Sequence, residues 1–188
     1  MRDFGQIFAG RTDVYGETVY ADEGTWEPGS KRPYQSDIKW GTVTPEHFNQ
    51  HLDPDRPYGF GIVPVDEEGM INWMAIDVDI YEKGRETGAR IRAKIDALGL
   101  PVIPCYSKSL GVHLYIFFKE PVEFVRVKHC LLSVRDRLDL PKDVELFPKQ
   151  DKILKPEEKG TFLNLPYWNG DQRCAIGADG SDMPFDDF

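Results

Sequence analysis

The chain has little cysteine, no long apolar run and fewer bases than acids, and each shortage excludes something. Cys105, Cys130 and Cys174 stand far apart in 188 residues, with no CxxC pair. Neither a disulfide framework nor a structural zinc site is expected, and the thiols read as free. No apolar stretch approaches the roughly 20 residues of a membrane span, and the N-terminus MRDFGQIF lacks the charged-then-apolar pattern of an export signal. The expectation is a soluble, cytoplasmic protein, monomeric and without membrane attachment. With 23 Lys and Arg against 32 Asp and Glu, the formal net charge is −9. That balance argues against a protein that coats nucleic acid through bulk electrostatics, because non-specific affinity comes largely from neutralising phosphates. The acids are uneven, however: GADGSDMPFDDF has four aspartates and no base, while bases gather in EKGRETGARIRAK, VRVKH and FPKQDKILK. A local basic groove is therefore compatible with the composition. No repeat or low-complexity segment is found, and the length suits one domain with a two-layer core.

Against this plain background the run NWMAIDVDIY stands out. Ile76, Val78 and Ile80 fall on one face of a period-two strand, and Asp77 and Asp79 on the other. Two neighbouring carboxylates repel each other. A hard cation such as Mg²⁺ or Mn²⁺ removes that cost and prefers oxygen ligands. A solvated sheet face stays open as the plainer reading of an isolated DxD.

The elements after residue 70 supply context. INWMAIDVDI is a strand, and ETGARIRAKIDAL has Ile91, Ile95 and Leu98 at helical spacing with Gly99 placed to end it. PVIPCYS is a short strand; after KSLG, the run VHLYIFF alternates Val112, Leu114, Ile116 and Phe118 with His113, Tyr115 and Phe117. Phe124, Val127, Leu131 and Leu138 mark a second helix that stops before Pro141, and DVELF is a last strand. The fold class is therefore α+β, with a β-α-β-β-α-β unit of the ferredoxin-like or RNA-recognition type. In that topology the Asp77 strand lies between the His113 strand and DVELF. Glu145 would share the open sheet face with both aspartates, as a two-metal phosphoryl-transfer site needs.

Here the residues carry a resemblance. The ordered set AIDVD, SKSLGVHLYIFF, ELFPKQ and FLNLPYW, from about Phe8 to Tyr167, resembles the archaeo-eukaryotic primase superfamily. The likeness is to primase-polymerase domains of phage, plasmid and conflict-system type. YSKSLGVHLY is similar to the corresponding segment of end-joining ligase polymerase domains. The resemblance implies a template-dependent nucleotidyltransferase, a DNA primase or DNA polymerase, that uses two Mg²⁺ or Mn²⁺ ions, NTP or dNTP, and single-stranded or primed DNA. A helicase or accessory domain in a longer protein is a further implied partner. By position, Asp77, Asp79 and Glu145 would hold the metals and His113 would contact the triphosphate. Ser107 and Ser109 would cradle phosphate oxygens, Lys149 would offer a charge to phosphate, Asn164 would touch the sugar or phosphate of the nucleotide, and Arg11 would touch template or nucleotide. The chain departs from many relatives in having Gly111 two residues before the histidine, Lys108 and Leu110 where glycine is common, and Glu145 where aspartate is common. Three rivals stay open: a metal-dependent nuclease, a DxD sugar-nucleotide transferase, and a non-catalytic RNA-recognition-like module that reads bases through Tyr115 and Phe117.

Residues 1–70 read as an N-terminal α/β layer. VYGETVYA, DIKWGTV and YGFGIVPV are strands, and a short helix runs from Thr44-Pro45 to Leu52. DEGTWEPGSKRPYQSD reads as a flexible loop, with Trp26, Tyr34 and Trp40 as possible stacking partners; burial is the expectation for Trp40. Residues 171–188 read as an acidic linker or disordered end.

Overall fold

The computed structural model describes residues 4–21, 34–56, 58–79, 84–107, 111–150 and 154–188. The expectations placed on Trp26, Ile80, Lys108, Ser109 and Leu110 lie outside the described residues.

The fold is α+β, and period-two alternation builds its central sheet. β4 (Met70–Val78), β5 (Ile103–Tyr106), β6 (Val112–Glu123) and β7 (Glu145–Phe147) pair antiparallel in the order β5-β6-β4-β7. α3 (Gly84–Ala97) connects β4 to β5, and α4 (Val127–Arg137) connects β6 to β7, which completes the β-α-β-β-α-β order. Ile76, Val78, Val112, Leu114 and Ile116 share one core with Ile91 and Ile95 of α3 and Val127, Leu131 and Val134 of α4. Each such side chain contributes about 1.5–3 kcal/mol when fully buried, which fixes the helices to this face. Gly99 ends α3 with φ +59, as its left-handed cap position requires. Leu98, expected on the apolar stripe, falls just past the helix end and is exposed.

The opposite face carries Trp73, Ala75, Tyr115 and Phe147, and it is covered. Phe8 lies with ring centroids 5.6 Å from Trp73, 5.4 Å from Tyr115 and 5.3 Å from Phe117. Tyr115 is fully buried as a result. The aromatic surface on which an RNA-recognition-like module would stack bases is therefore not open at Tyr115.

A second antiparallel sheet forms the N-terminal layer: β1 (Val14–Tyr20), β2 (Tyr34–Trp40), β3 (Tyr58–Ile62) and β8 (Leu163–Asn164), in the order β2-β1-β3-β8. Its helical part is α1 (Phe4–Ile7) and α2 (Pro45–Leu52). The last strand comes from FLNLP, near the other end of the chain. Its two faces differ sharply in size. Tyr15, Phe60 and Ile62 point one way, where Phe60 meets Phe48 of α2 with ring centroids 5.1 Å apart. Gly16, Thr18, Gly59 and Gly61 occupy the alternate positions. The buried His51 of α2 ties this layer together: Nε2 donates to the Pro166 carbonyl at 2.8 Å, and Nδ1 accepts the Phe60 N–H at 3.0 Å.

Residues 171–188 differ from the expected linker. β9 (Ala175–Ile176) and β10 (Asp182–Met183) extend the central sheet beyond β5, giving β10-β9-β5-β6-β4-β7. Phe185 and Phe188 each lie 5.2 Å from Tyr167 by ring centroids, and Arg85 binds the Asp182 carboxylate at 3.0 and 2.8 Å. A few well-placed apolar anchors outweigh the acidic composition. Among the described residues, no helix is long and apolar enough to cross a membrane.

Candidate active site

Strand register assembles the site. Antiparallel pairing aligns Cys105, His113, Asp77 and Glu145 in one row across β5, β6, β4 and β7. Continuing two residues along the strands brings Ser107, Gly111 and Asp79 together at the strand ends, where Ser107 N–H donates to Gly111 O at 2.8 Å. A Cβ on Gly111 would stand 2.8 Å from Val78 O and 3.0 Å from Ser107 Oγ, too close for any larger residue. The absent side chain thus lets the β6 backbone pass between Asp79 and Ser107.

Asp77, Asp79, Ser107, His113 and Glu145 of this group line a cavity of about 280 Å³ between the two sheets. Asp77, Asp79, Ser107, His113, Glu145 and Lys149 form one wall, and Tyr34, Ser36, Phe162 and Asn164 form the other. Asp77 and His113 are largely buried, whereas Asp79 and Glu145 reach solvent. Asp77 Oδ1 faces His113 Nε2 at 3.4 Å, and Glu145 pairs with Lys149 at 2.6 Å. The Lys149 ammonium also lies over the Phe147 ring, 5.0 Å from its centroid.

His113 is oriented from behind. The Tyr115 hydroxyl donates to the Asn164 carbonyl at 3.1 Å, so its lone pair is what receives Nδ1–H of His113, 3.2 Å away. This order places a proton on Nδ1 and turns Nε2 toward Asp77 and the cavity. Burial pushes the Tyr115 phenol far above its ordinary pKa, so it remains a neutral donor.

Three oxygen-donor acids, Asp77, Asp79 and Glu145, are the chemistry a hard divalent cation takes. Their present arrangement is not yet a ligand set: among the described residues, no three His, Cys, Asp or Glu side chains are gathered closely enough to hold an ion. The Glu145 carboxylate is instead engaged by the Lys149 ammonium.

The chain matches the family described as "TOTE conflict system, Archaeo-Eukaryotic Primase domain" over residues 1–173. It belongs to that archaeo-eukaryotic primase family. No curated protein matches the chain significantly. Membership in this archaeo-eukaryotic primase family makes it a domain of primase-type nucleotidyltransferase ancestry. Asp77, Asp79, Ser107, His113, Glu145, Lys149 and Asn164, which the sequence resemblance singled out, all line this cavity.

Arg11 does not join them. It is buried, pairs with Asp13 at 2.6 Å, and donates to the carbonyls of Glu158 and Pro156. Its guanidinium also lies 5.3 Å from the Trp40 ring, with Lys159 Nζ 5.9 Å from the same ring. Trp40, expected in the core, is half-exposed at this position. Arg11 thus braces the 154–160 loop and does not line the cavity.

Several lining groups escaped the sequence. Phe162 lies over Gly16 and Gly61, where any Cβ would fall inside its ring. YGFGI reads as a strand, and only the register reveals its glycines as a shelf for this ring. Thr18 and Ser36 are unremarkable strand residues until β1 and β2 align them as partners.

Proposed function

We propose that this site transfers a nucleotide from NTP or dNTP to a nucleic-acid 3′-hydroxyl on a DNA template, as a DNA primase, a DNA polymerase or both. The reading is carried by one observation: Asp77, His113 and Glu145 share a cross-strand row inside a cavity that Asp79, Ser107 and Lys149 also line. Carboxylates at the centre of a sheet would repel a polyanionic substrate, so this arrangement suits nucleotide chemistry only with cations present.

Mg²⁺ or Mn²⁺ held by Asp77, Asp79 and Glu145 would supply acidification of the 3′-hydroxyl and charge for the departing pyrophosphate. The remaining roles belong to this chain's own side chains. His113, its Nδ1 proton fixed by Tyr115, directs Nε2 at the cavity, where a protonated ring donates to a phosphate oxygen. Lys149 gives up Glu145 and turns its charge toward the triphosphate. Ser107, at the strand end, offers hydroxyl and loop backbone to phosphate oxygens.

The test is primer extension with Mn²⁺ using Asp77→Ala. The expected result is loss of turnover by about a thousandfold or more with an unchanged thermal unfolding curve. Wild-type extension by a folded variant would refute the assignment. Parallel incubations with labelled DNA alone and with nucleotide sugars test the nuclease and sugar-transfer rivals.

A further inference from the structure

The cavity wall opposite the carboxylates carries a hydrogen-bond chain with a fixed direction. Thr18 of β1 is wholly buried, and its Oγ1 donates to Asn164 Oδ1 at 2.9 Å. It reaches Asn164 across β3 because Gly59 and Gly61 place no side chain between them. Thr18 has one hydroxyl hydrogen and has spent it. The 2.7 Å contact between Thr18 Oγ1 and Ser36 Oγ is therefore donated by Ser36.

Both ends of the chain line the cavity, and their polarity is now set. Ser36, its hydrogen committed to Thr18, presents lone pairs. Asn164, its carbonyl oxygen committed to Thr18, has its NH₂ as the half left for the cavity. Lone pairs beside an amide donor do not suit a phosphate, whose oxygens the serine would repel. They suit a group that donates and accepts at once, which is a hydroxyl. Asn164 also accepts from Tyr115 through its backbone carbonyl, and Tyr115 holds His113. The hydroxyl position is thus linked through Tyr115 alone to the group assigned to the triphosphate.

We infer that Ser36 and Asn164, locked in direction by Thr18, recognise a sugar hydroxyl of the incoming nucleotide and set its ribose specificity. This inference rests on the nucleotide-transfer reading of the cavity and adds to it a specificity element. The shared chemistry is a ribose hydroxyl, and the 2′ and 3′ positions are separated by experiment.

Binding of ATP, 2′-deoxy-ATP and 3′-deoxy-ATP to the full chain with Mg²⁺ is measured by calorimetry. Loss of one hydroxyl is expected to weaken binding about tenfold, and the analogue that weakens identifies the position. Thr18→Val keeps the shape of the buried residue but releases both ends of the chain, and should bring the ratio close to one. Ser36→Ala, at an exposed position, should do the same and serves if the valine variant does not fold. Equal binding of all three nucleotides to the wild type, or a ratio unchanged in Ser36→Ala, would overturn the inference while leaving nucleotide transfer standing. Affinity that follows the base and ignores both hydroxyls would likewise overturn it. If no nucleotide binds at all, the reading of the cavity falls, and this inference falls with it.

Discussion

Acidification should weaken the N-terminal layer through one residue, His51. Burial holds its imidazole neutral and lowers the pKa from 6.5 to about 3; the bond to Pro166 opposes the shift and the nearby Arg173 charge adds to it. Between those values the unfolded chain binds a proton that the folded chain refuses, so stability falls as pH falls. Each pH unit below 6.5 costs about 1.4 kcal/mol, which makes the loss about 2 kcal/mol at pH 5 and roughly 4–5 kcal/mol near pH 3. His51→Gln keeps a donor and an acceptor but does not titrate. Urea unfolding followed by tryptophan fluorescence at pH 7.5, 6 and 5 isolates the effect, because other ionisations cancel when wild type and variant are compared. The wild type should be the more stable at pH 7.5 by about 1 kcal/mol and should lose that lead by pH 5. A difference between the two proteins that stays constant across this range would refute the argument.

Other predictions concern the cavity and the thiols. Lys149→Met removes the ammonium that occupies Glu145, so calorimetry should find Mn²⁺ bound severalfold more tightly and triphosphate severalfold more weakly; unchanged Mn²⁺ affinity would mean that the ion pair does not compete with metal. Both partners of that pair are a third or more exposed, so melting should shift by less than about 1 kcal/mol equivalent. Gly61→Ala places a methyl inside the Phe162 ring and 2.9 Å from Leu163 O, which should cost about 1–3 kcal/mol in thermal unfolding and weaken triphosphate binding; an equally stable variant would contradict the shelf. Iodoacetamide at pH 8 should modify Cys130 in the folded protein and spare the others, since burial pushes Cys105 well above its ordinary range and Cys174 to about 11. Peptide mass mapping that finds Cys105 alkylated first would contradict its burial.

The central sheet was readable because its two periodicities are clean: period two in β4 and β6, and period 3.6 through Phe124, Val127, Leu131 and Leu138. Once the strand order followed, the shared row of Asp77, His113 and Glu145 followed with it. The strands VYGETVYA, DIKWGTV and YGFGIVPV of the second wall were readable, but their pairing was not. In β3 glycine alternates with larger residues, and glycine in a sequence gives no sign of what packs over it. β8 has two residues, too few for any periodic signal. The position of Arg11 outside the cavity was not readable, because a lone arginine in a loop gives no hint of its carbonyl partners 145 and 147 residues away. Trp40 likewise was assigned by average burial, whereas it lies half-exposed beside Arg11 and Lys159.

Residues 174–188 lie beyond the family match, yet they supply two strands of the central sheet. The central sheet therefore runs past the matched residues. Severing it after Arg173 would strip β9 from β5, leave the edge around Cys105 and Tyr106 without its neighbour, and take Phe185 and Phe188 from Tyr167. A bare strand flanked by apolar side chains invites pairing with another molecule. The acidic tail thus covers a sheet border at β5 that would otherwise stand open.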